Sequence, residues 1–343
     1  MKTNKALSYD DVLLLPQYSD IRSRSEIDMS IDLGNEVVLG LPVLSSPMDT
    51  VSETDMALAL STSGGAAVIH RYNTIQQQAD IVTTARTAVP NIKLGAAIGV
   101  TGDYLNRAAV MCALEVDFLC VDVAHGHHIL MKEALQQLRT KFGDNIHIMA
   151  GNVATLDAIN DLADWGANSV RCNIGGGSIC STRIQTGHGM PGLQTIIDCA
   201  KTDRNVKIIA DGGIRNSGDV VKAIAAGADA VMCGSLFAGT DESPGKIMQD
   251  KDGHRWKIYR GMASKEAQVE WRGKYSSDEG VSTTVPYRGS VEPILQDLKR
   301  GISSGLSYSG ARTIAELQTK SEFVTQTTSG LSESHTHILS RKW

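Results

Sequence analysis

The chain has 343 residues, 42% hydrophobic and 21% charged, an ordinary globular composition at a length that suits one large α/β barrel or two average domains. Its net charge of −5, from 33 basic and 38 acidic residues with no dense basic run, excludes a general attraction for nucleic acid or an anionic membrane surface. The opening MKTNKALSYDDVLLLPQ interrupts its short apolar stretch with Asp10, Asp11 and Pro16 and reads as neither a signal peptide nor a membrane span.

Short apolar runs that end in small or polar residues then recur along the chain. They are PVLSSPM (42–48), GAAVIH (65–70), KLGAAIGV (93–100), VDFLCVDV (116–123), IHIMAGNV (146–153), NSVRCNIG (168–175), VKIIADGG (206–213) and ADAVMCGS (228–235). Between them lie segments of helical periodicity such as TDMALALSTSG, HILMKEALQQLRTKF, TLDAINDLADWGA and SGDVVKAIAAGA. Continuous apolar strands alternating with amphipathic helices predict βαβ units and a parallel sheet. About eight such units predict a closed (β/α)8 TIM barrel, a fold of ~250 residues. The alternative, an open doubly wound sheet, lacks a G-x-G-x-x-G after the first strand. Residues 236–290 are Gly- and charge-rich with few periodic apolar positions, and read as a long flap. A helix at about 291–302 and a polar tail ending in LSESHTHILSRKW follow. No linker marks a second domain, so residues 1–343 read as a single catalytic barrel.

The six cysteines, Cys112, Cys120, Cys172, Cys180, Cys199 and Cys233, form no C-x-x-C pair. A disulfide framework or Cys-rich zinc site is therefore not expected, and a reducing, cytoplasmic location is. Five of them read as small buried hydrophobes; Cys180 is the exception. Barrel enzymes build their sites at the C-terminal ends of the strands. That directs attention to Met48-Asp49, His70-Arg71, Asp122 with His125, Gly151-Asn152, the loop 173–192, Asp211-Gly212-Gly213 and Gly234-Ser235. The last two follow strands seven and eight, where glycine turns bring backbone N–H groups close to a phosphate, so a phosphorylated substrate is expected. In the loop NIGGGSICSTRIQTGHGMPG, the consecutive Gly175, Gly176 and Gly177 suit a backbone that aims carbonyls or N–H groups at a ligand. Cys180 sits among Ser178, Ser181, Thr182 and Arg183, where exposure near a cation favours the nucleophilic thiolate. Taken alone, this setting fits a buried structural cysteine equally well. His125, His127 and His128 cluster at a strand end without a companion carboxylate-and-histidine set, so zinc is not expected. His335 and His337 read as surface residues, or as neighbours of a second cation or a subunit contact.

The segment GGGSICSTR resembles the cysteine-loop signature of the IMP dehydrogenase/GMP reductase family, commonly G-P/S-G-S-I/V-C-T-T-R. SSPMDTV, GNV, ADGGI, the GS after the eighth run and YRGM resemble other family segments in the same order, from about residue 6 to the C-terminus. The resemblance implies a homotetrameric (β/α)8 oxidoreductase that acts at C2 of a purine nucleotide, GMP or IMP, with NADPH or NADH and K+. By matching motif, Cys180 would attack C2 and form a covalent purine intermediate. The carbonyls of Gly175, Gly177 and Cys180 would coordinate K+. Asp211 would accept the ribose hydroxyls. Ser178, Gly213, Gly234, Ser235 and Tyr259 would hold the phosphate, with Gly212 also at the substrate, and the backbone of Gly261, Met262 and Ala263 would read the purine edge. The cofactor would lie against Arg71, Asp122, Val123, Ala124, His125, Gly126, Gly151 and Asn152, touched across a subunit boundary by Ser23, Arg24, Ser304 and Gly305.

Two reactions occur in the family. Its dehydrogenases usually insert a regulatory CBS pair between the second and third strands, for which QQQADIVTTARTAVPNIK leaves no room. They also hydrolyse the intermediate with an adjacent Arg-Tyr pair in the flap; here Arg272 and Tyr275 are separated. The Thr-Glu pair that the family's reductases use to protonate the leaving amine is matched by Thr182 and Glu279. VDVAHGHH resembles the reductases, whereas SSPMDTVSETDM and SESHTH resemble the dehydrogenases. Gly176 replaces a usual Pro or Ser and Asn173 a usual glycine; Ser276 and Ser303 stand where reductases often carry arginine, which bears on the contact to the cofactor 2′-phosphate. The resemblance thus points to NADPH-dependent reductive deamination of GMP to IMP. The alternatives are an IMP dehydrogenase without CBS domains (IMP to XMP with NAD) and a catalytically silent purine-nucleotide-binding barrel.

Overall fold

Each of the eight apolar runs forms one parallel strand in the computed structural model, which describes residues 5–275, 278–334 and 336. The strands are β1 (Val43–Ser45), β2 (Ala66–Ile69), β3 (Leu94–Ile98), β4 (Phe118–Asp122), β5 (His147–Val153), β6 (Ser169–Cys172), β7 (Lys207–Asp211) and β8 (Ala230–Cys233). They pair in sequence order, and β8 returns to β1 through Val231↔Val43, which closes the barrel. Helices α1 (Thr54–Thr62), α2 (Ile75–Ala88), α3 (Tyr104–Ala113), α4 (Ile129–Phe142), α5 (Leu156–Asp164), α6 (Gly192–Cys199), α7 (Ser217–Ala225) and α8 (Glu292–Tyr308) run between and after the strands. Several start on side-chain caps that satisfy their free N–H groups: Thr74 accepts from Gln77 N, Thr155 from Ala158 N and Asn216 from Asp219 N. The connection from β2 to β3 is α2 alone. The helix expected at about 291–302 continues to Tyr308 because Leu306 still packs into the core, and the segment expected as a polar tail holds two more helices, Ile314–Lys320 and Thr328–Glu333.

Strand side chains alternate between the two faces, and this period separates two cores. Outward residues meet the helices in the larger core. Inward residues such as Leu44, Val68, Phe118, Cys120, Met149, Ile209 and Met232 fill the barrel itself. A two-stranded hairpin, Ile31–Asp32 with Val38–Leu39, inserts Leu33, Val37 and Leu39 into this inner cluster. It lies at the N-terminal end of the strands, where Asn35 Nδ2 donates to Asp144 O at 2.7 Å. Followed to the other end, the same period brings Asp122 after Cys120, Arg171 after Ser169 and Asp211 after Ile209. The apolar filling is therefore capped by a layer of charge.

The flap is more ordered than its composition implied. It holds a three-stranded antiparallel sheet (Met248–Gln249, Arg255–Arg260 and Ser282–Pro286) and a helix at Lys265–Arg272. These strands are half-exposed, so their alternation carries little hydrophobic signal. Another short pairing, Val12–Leu14 with Phe323–Thr325, ties the two ends of the chain together. No helix among the described residues is long and apolar enough to cross a membrane.

Gly95 lies beside Phe118 across β3 and β4, and a Cβ there would come within 2.2 Å of the Phe118 ring, which is fully buried. Gly95→Ala should destabilise the fold by about 1–3 kcal/mol, the usual cost of overpacking. Urea unfolding measures this, and adding Phe118→Leu should return part of the loss.

Candidate active site

At the C-terminal end of the strands a cavity of about 260 Å³ opens above the charged layer. Arg171 organises its floor. Its Nη1 donates to Asp122 Oδ1 at 2.6 Å, and its Nε and Nη2 donate to Asp211 Oδ2 at 3.1 and 2.8 Å. Asn152 Nδ2 reaches the same Asp211 oxygen at 2.7 Å, which leaves Asp211 Oδ1 without a donor among the described residues. Arg71 Nη2 donates to Asp122 O at 3.0 Å. Burial pushes the Asp122 carboxyl upward, but Arg171 and Arg71 outweigh it and hold it below its ordinary range. Gly151 permits this packing, since a Cβ there would lie 2.5 Å from Arg171 Cβ. Arg171 was not among the expected site residues. Its signal was an arginine inside an apolar run, at a position in phase with inward-facing Ser169.

The loop after β6 carries Cys180, half-buried in the cavity wall. Its Sγ lies 3.2 Å from Thr182 Oγ1, which donates to Glu279 Oε2 at 3.0 Å. Glu279 is far away in sequence and arrives by backbone pairing. Ser181 N donates to Glu279 O at 3.1 Å, Val281 N to Ile179 O at 2.9 Å, and Ser181 Oγ to Asp278 O at 2.7 Å. Gly280 is required at this crossing, because a Cβ there would lie 2.8 Å from Ser264 N. The flap is clamped to the barrel by Asp49, which accepts from Arg260 Nε at 3.0 Å and Trp271 Nε1 at 2.9 Å.

Ser178, Gly212, Gly213, Gly234, Ser235 and Tyr259 line the cavity, as do Gly261, Met262 and Ala263 from the flap. A Cβ at residue 234 would lie 3.0 Å from Tyr259 Oη, so this corner admits only glycine without a shift. Burial pushes the Tyr259 phenol up, which keeps it a neutral donor. Arg71, Asp122, Val123, Ala124 and Asn152 line the cavity as well.

Other expected residues are not brought to this cavity. His125, which is exposed, and Gly126 and Gly151 do not line it; Gly126 N donates to Asn152 O at 2.7 Å. Ser23 and Arg24 form a capped surface turn (Arg24–Glu26), and Ser304 and Gly305 lie in α8, with Gly305 against Val221. Within one chain these four do not line the cavity, and Ser276, His335 and His337 lie outside the described residues. His127 pairs with Asp161 at 2.8 Å and His128 caps α4, so the histidine cluster does not converge. Among the described residues the one group spaced to hold a metal is the exposed set Asp250, Asp252 and His254. Cys120, Cys172, Cys199 and Cys233 are buried, as expected, and burial pushes the Cys120 thiol up to about 12; Cys112 is half-buried.

A profile of the IMP dehydrogenase / GMP reductase domain matches residues 6–337. The chain belongs to this family. It is 33% identical to the inosine-5′-monophosphate dehydrogenase of Nitrosopumilus maritimus over 473 aligned positions, covering 98% of this chain and 99% of that protein. To the GMP reductase of Leishmania major it is 31% identical over 481 positions, covering 98% of each. Both alignments exceed the 343 residues of the chain, so these relatives carry insertions that it lacks. Among solved structures, a cysteine-to-alanine variant of Trypanosoma brucei GMP reductase in complex with guanosine 5′-monophosphate superposes with a TM-score of 0.92 at 30% identity, covering 98% of both chains. Fold and family are those of an oxidoreductase-type enzyme of purine metabolism.

Two departures from the family's cysteine loop belong together. Asn173, 4% exposed, donates Nδ2 to Asp211 O at 2.9 Å and lies across the loop, so a Cβ at residue 176 would fall 2.1 Å from that nitrogen. The amide of residue 173 thus occupies the room that a side chain at 176 would need. Gly176→Ser alone should cost about 1–3 kcal/mol in thermal or urea unfolding. Asn173→Gly in the same chain should recover most of it; strictly additive losses would refute the coupling.

Proposed function

We propose that the chain is a GMP reductase that converts GMP to IMP by reductive deamination with NADPH. The relay Cys180–Thr182–Glu279 carries this reading, since its three groups stand within hydrogen-bond distance in the order the chemistry needs. The thiol donates toward Thr182, and Thr182 toward the Glu279 carboxylate, so the Cys180 proton has a path away from sulfur. The thiolate then adds to C2 of the purine. The exocyclic amine leaves as ammonia and takes up the proton held on Glu279, returned through Thr182. When bound, the nicotinamide cofactor supplies a hydride to C2, after which the C–S bond breaks and the thiolate returns.

The rest of the site fits a nucleoside monophosphate. Asp211 Oδ1, left without a donor, would take the ribose hydroxyls. Ser178, Gly212, Gly213, Gly234, Ser235 and Tyr259 would hold the phosphate on hydroxyl and N–H groups, and Gly261, Met262 and Ala263 would meet the base edge. Beside Cys180 the cavity continues to Arg71, Asp122, Val123, Ala124 and Asn152, where a nicotinamide would stack next to the purine. Potassium also fits: the carbonyls of Gly175 and Cys180 accept no hydrogen bond among the described residues, and that of Gly177 accepts one, from Cys180 N at 3.1 Å. A homotetramer in the cytoplasm is part of the proposal, with Ser23, Arg24, Ser304 and Gly305 of a neighbouring copy beside the cofactor. Against water activation for the dehydrogenase reaction, Arg272 lines a different cavity and is three residues from Tyr275.

Cys180→Ala should abolish turnover, followed as loss of NADPH absorbance with GMP, while keeping GMP affinity within about tenfold. A gain of reduced cofactor from IMP and NAD would instead identify a dehydrogenase.

Glu279→Gln should slow GMP deamination by roughly 10²–10⁴-fold, the range for a general acid or base. Isotopic hydride exchange between cofactor and IMP needs no amine protonation and should fall far less. Asp278→Asn serves as the control and should cost under about tenfold, since residue 278 meets the loop through its carbonyl. Equal losses in the two variants would remove Glu279 as the proton carrier.

A further inference from the structure

Two neighbouring side chains in the loop after β1 serve different parts of the molecule. Met48 lines the cavity, with its sulfur beside Gly234. Asp49, 8% exposed, bonds to the flap. It accepts from Arg260 Nε at 3.0 Å and from Arg260 Nη2, and from Trp271 Nε1 at 2.9 Å. We infer that Asp49 is a positioning residue for the purine base, which acts through Arg260 and Trp271 to seat Gly261, Met262 and Ala263 in the cavity wall. The inference rests on the reading above, in which these three residues meet the base edge.

The segment depends on its flanks. Gly261 is tied at both backbone groups, its N–H to Val281 O at 3.0 Å and its carbonyl to Ser264 N at 2.9 Å. Beyond it, the N–H groups of Met262 and Ala263 and the carbonyl of Met262 make no hydrogen bond among the described residues, which leaves them for a ligand. On one flank Arg260 ends the flap strand, and on the other Ser264 caps the flap helix Lys265–Arg272. A single carboxylate grips both flanks, at residues 260 and 271, and so closes the segment into a loop anchored on the barrel. Thr50 adds a further point, since its Oγ1 accepts from Arg260 N at 3.3 Å.

Other contacts do not substitute for this anchor. The second partner of Arg260, Glu270 Oε2 at 2.6 Å, belongs to the flap itself and is more than half exposed, so it ties the flap internally. Trp271 and Arg272 line a second cavity, of about 330 Å³, that shares Arg71 and Tyr72 with the first, so this end of the helix is not held by close packing. Without Asp49 the Arg260 guanidinium, 13% exposed, would keep its burial and lose its partner on the barrel, and the flap would lift to hydrate it. A misplacement of about 1 Å is enough to spoil a hydrogen-bonded reading of the base.

The test separates the base from the rest of the nucleotide. GMP and ribose 5-phosphate, which carries the same sugar and phosphate but no base, are each titrated calorimetrically into the wild-type chain, Asp49→Asn, Arg260→Lys and Glu270→Gln. Asparagine removes the charge at similar size, and lysine keeps the charge but not the planar fork. Asp49→Asn and Arg260→Lys should each weaken GMP at least tenfold and leave ribose 5-phosphate within about twofold. Glu270→Gln should leave both ligands within about twofold. A role confined to stability would lower the melting temperature and the binding stoichiometry while the affinities stay at wild-type values, and that result overturns the inference. So do equal losses for the two ligands, which would mean that the clamp shapes the whole cavity, and so does a loss in Glu270→Gln as large as in Asp49→Asn. If Asp49→Asn does not fold, Arg260→Lys decides the matter alone. A wild-type chain that binds GMP no tighter than ribose 5-phosphate would overturn the base-edge reading and this inference with it, whereas undiminished GMP binding in the two clamp variants overturns this inference alone.

Discussion

The arrangement of the site depends on one arginine placed inside a barrel of carbon. Moving a guanidinium or a carboxylate out of water costs several kcal/mol per ion even after relaxation, and only close, well-formed pairing offsets it. Arg171 meets that condition by bridging Asp122 and Asp211, with Asn152 completing the Asp211 end. Because the charges compensate one another, both carboxylates can stand at the top of an apolar core. The bridge also divides Asp211 into a committed oxygen and a free one, and fixes the ends of β4, β6 and β7 relative to each other. A lone carboxylate at either place would be an unpaired buried charge, which proteins avoid by taking up a proton.

Above this floor, the reactive groups are assembled by backbone hydrogen bonds. Cys180 and Glu279 belong to loops that lack regular structure of their own, and each would be loosely placed in isolation. Pairing Ile179–Ser181 with Glu279–Val281 sets their separation with the precision of a sheet, and glycines at 261 and 280 allow the close crossing. Asp49 then fastens the flap to the barrel at a buried point. The same clamp places Trp271 and Arg272 over the second cavity, so both cavities depend on how the flap is seated.

The cysteine loop illustrates how a departure from a family's pattern keeps its packing. The Asn173 side chain and the absent side chain of Gly176 share one volume, and the amide uses it to bind the carbonyl of Asp211. Loop and floor are thereby linked directly.

Much of this was legible in the sequence. Eight apolar runs name the eight strands because a strand buried on both faces must be apolar throughout, whereas the polar, glycine-rich setting of Cys180 left its role open until the resemblance of GGGSICSTR to the family's cysteine loop singled it out. Period-two alternation was sufficient in principle to find Arg171, an arginine in phase with Ser169 in a buried strand. The partners of these residues were not legible. That Glu279 meets Thr182, that Asp49 holds Arg260 and Trp271, and that Val12–Leu14 pairs with Phe323–Thr325 all join positions remote in the chain. Local sequence determines which face a residue presents, since backbone geometry imposes that period over a few residues. Which residue it meets there depends on how whole elements close around one another, and only the tertiary structure decided that.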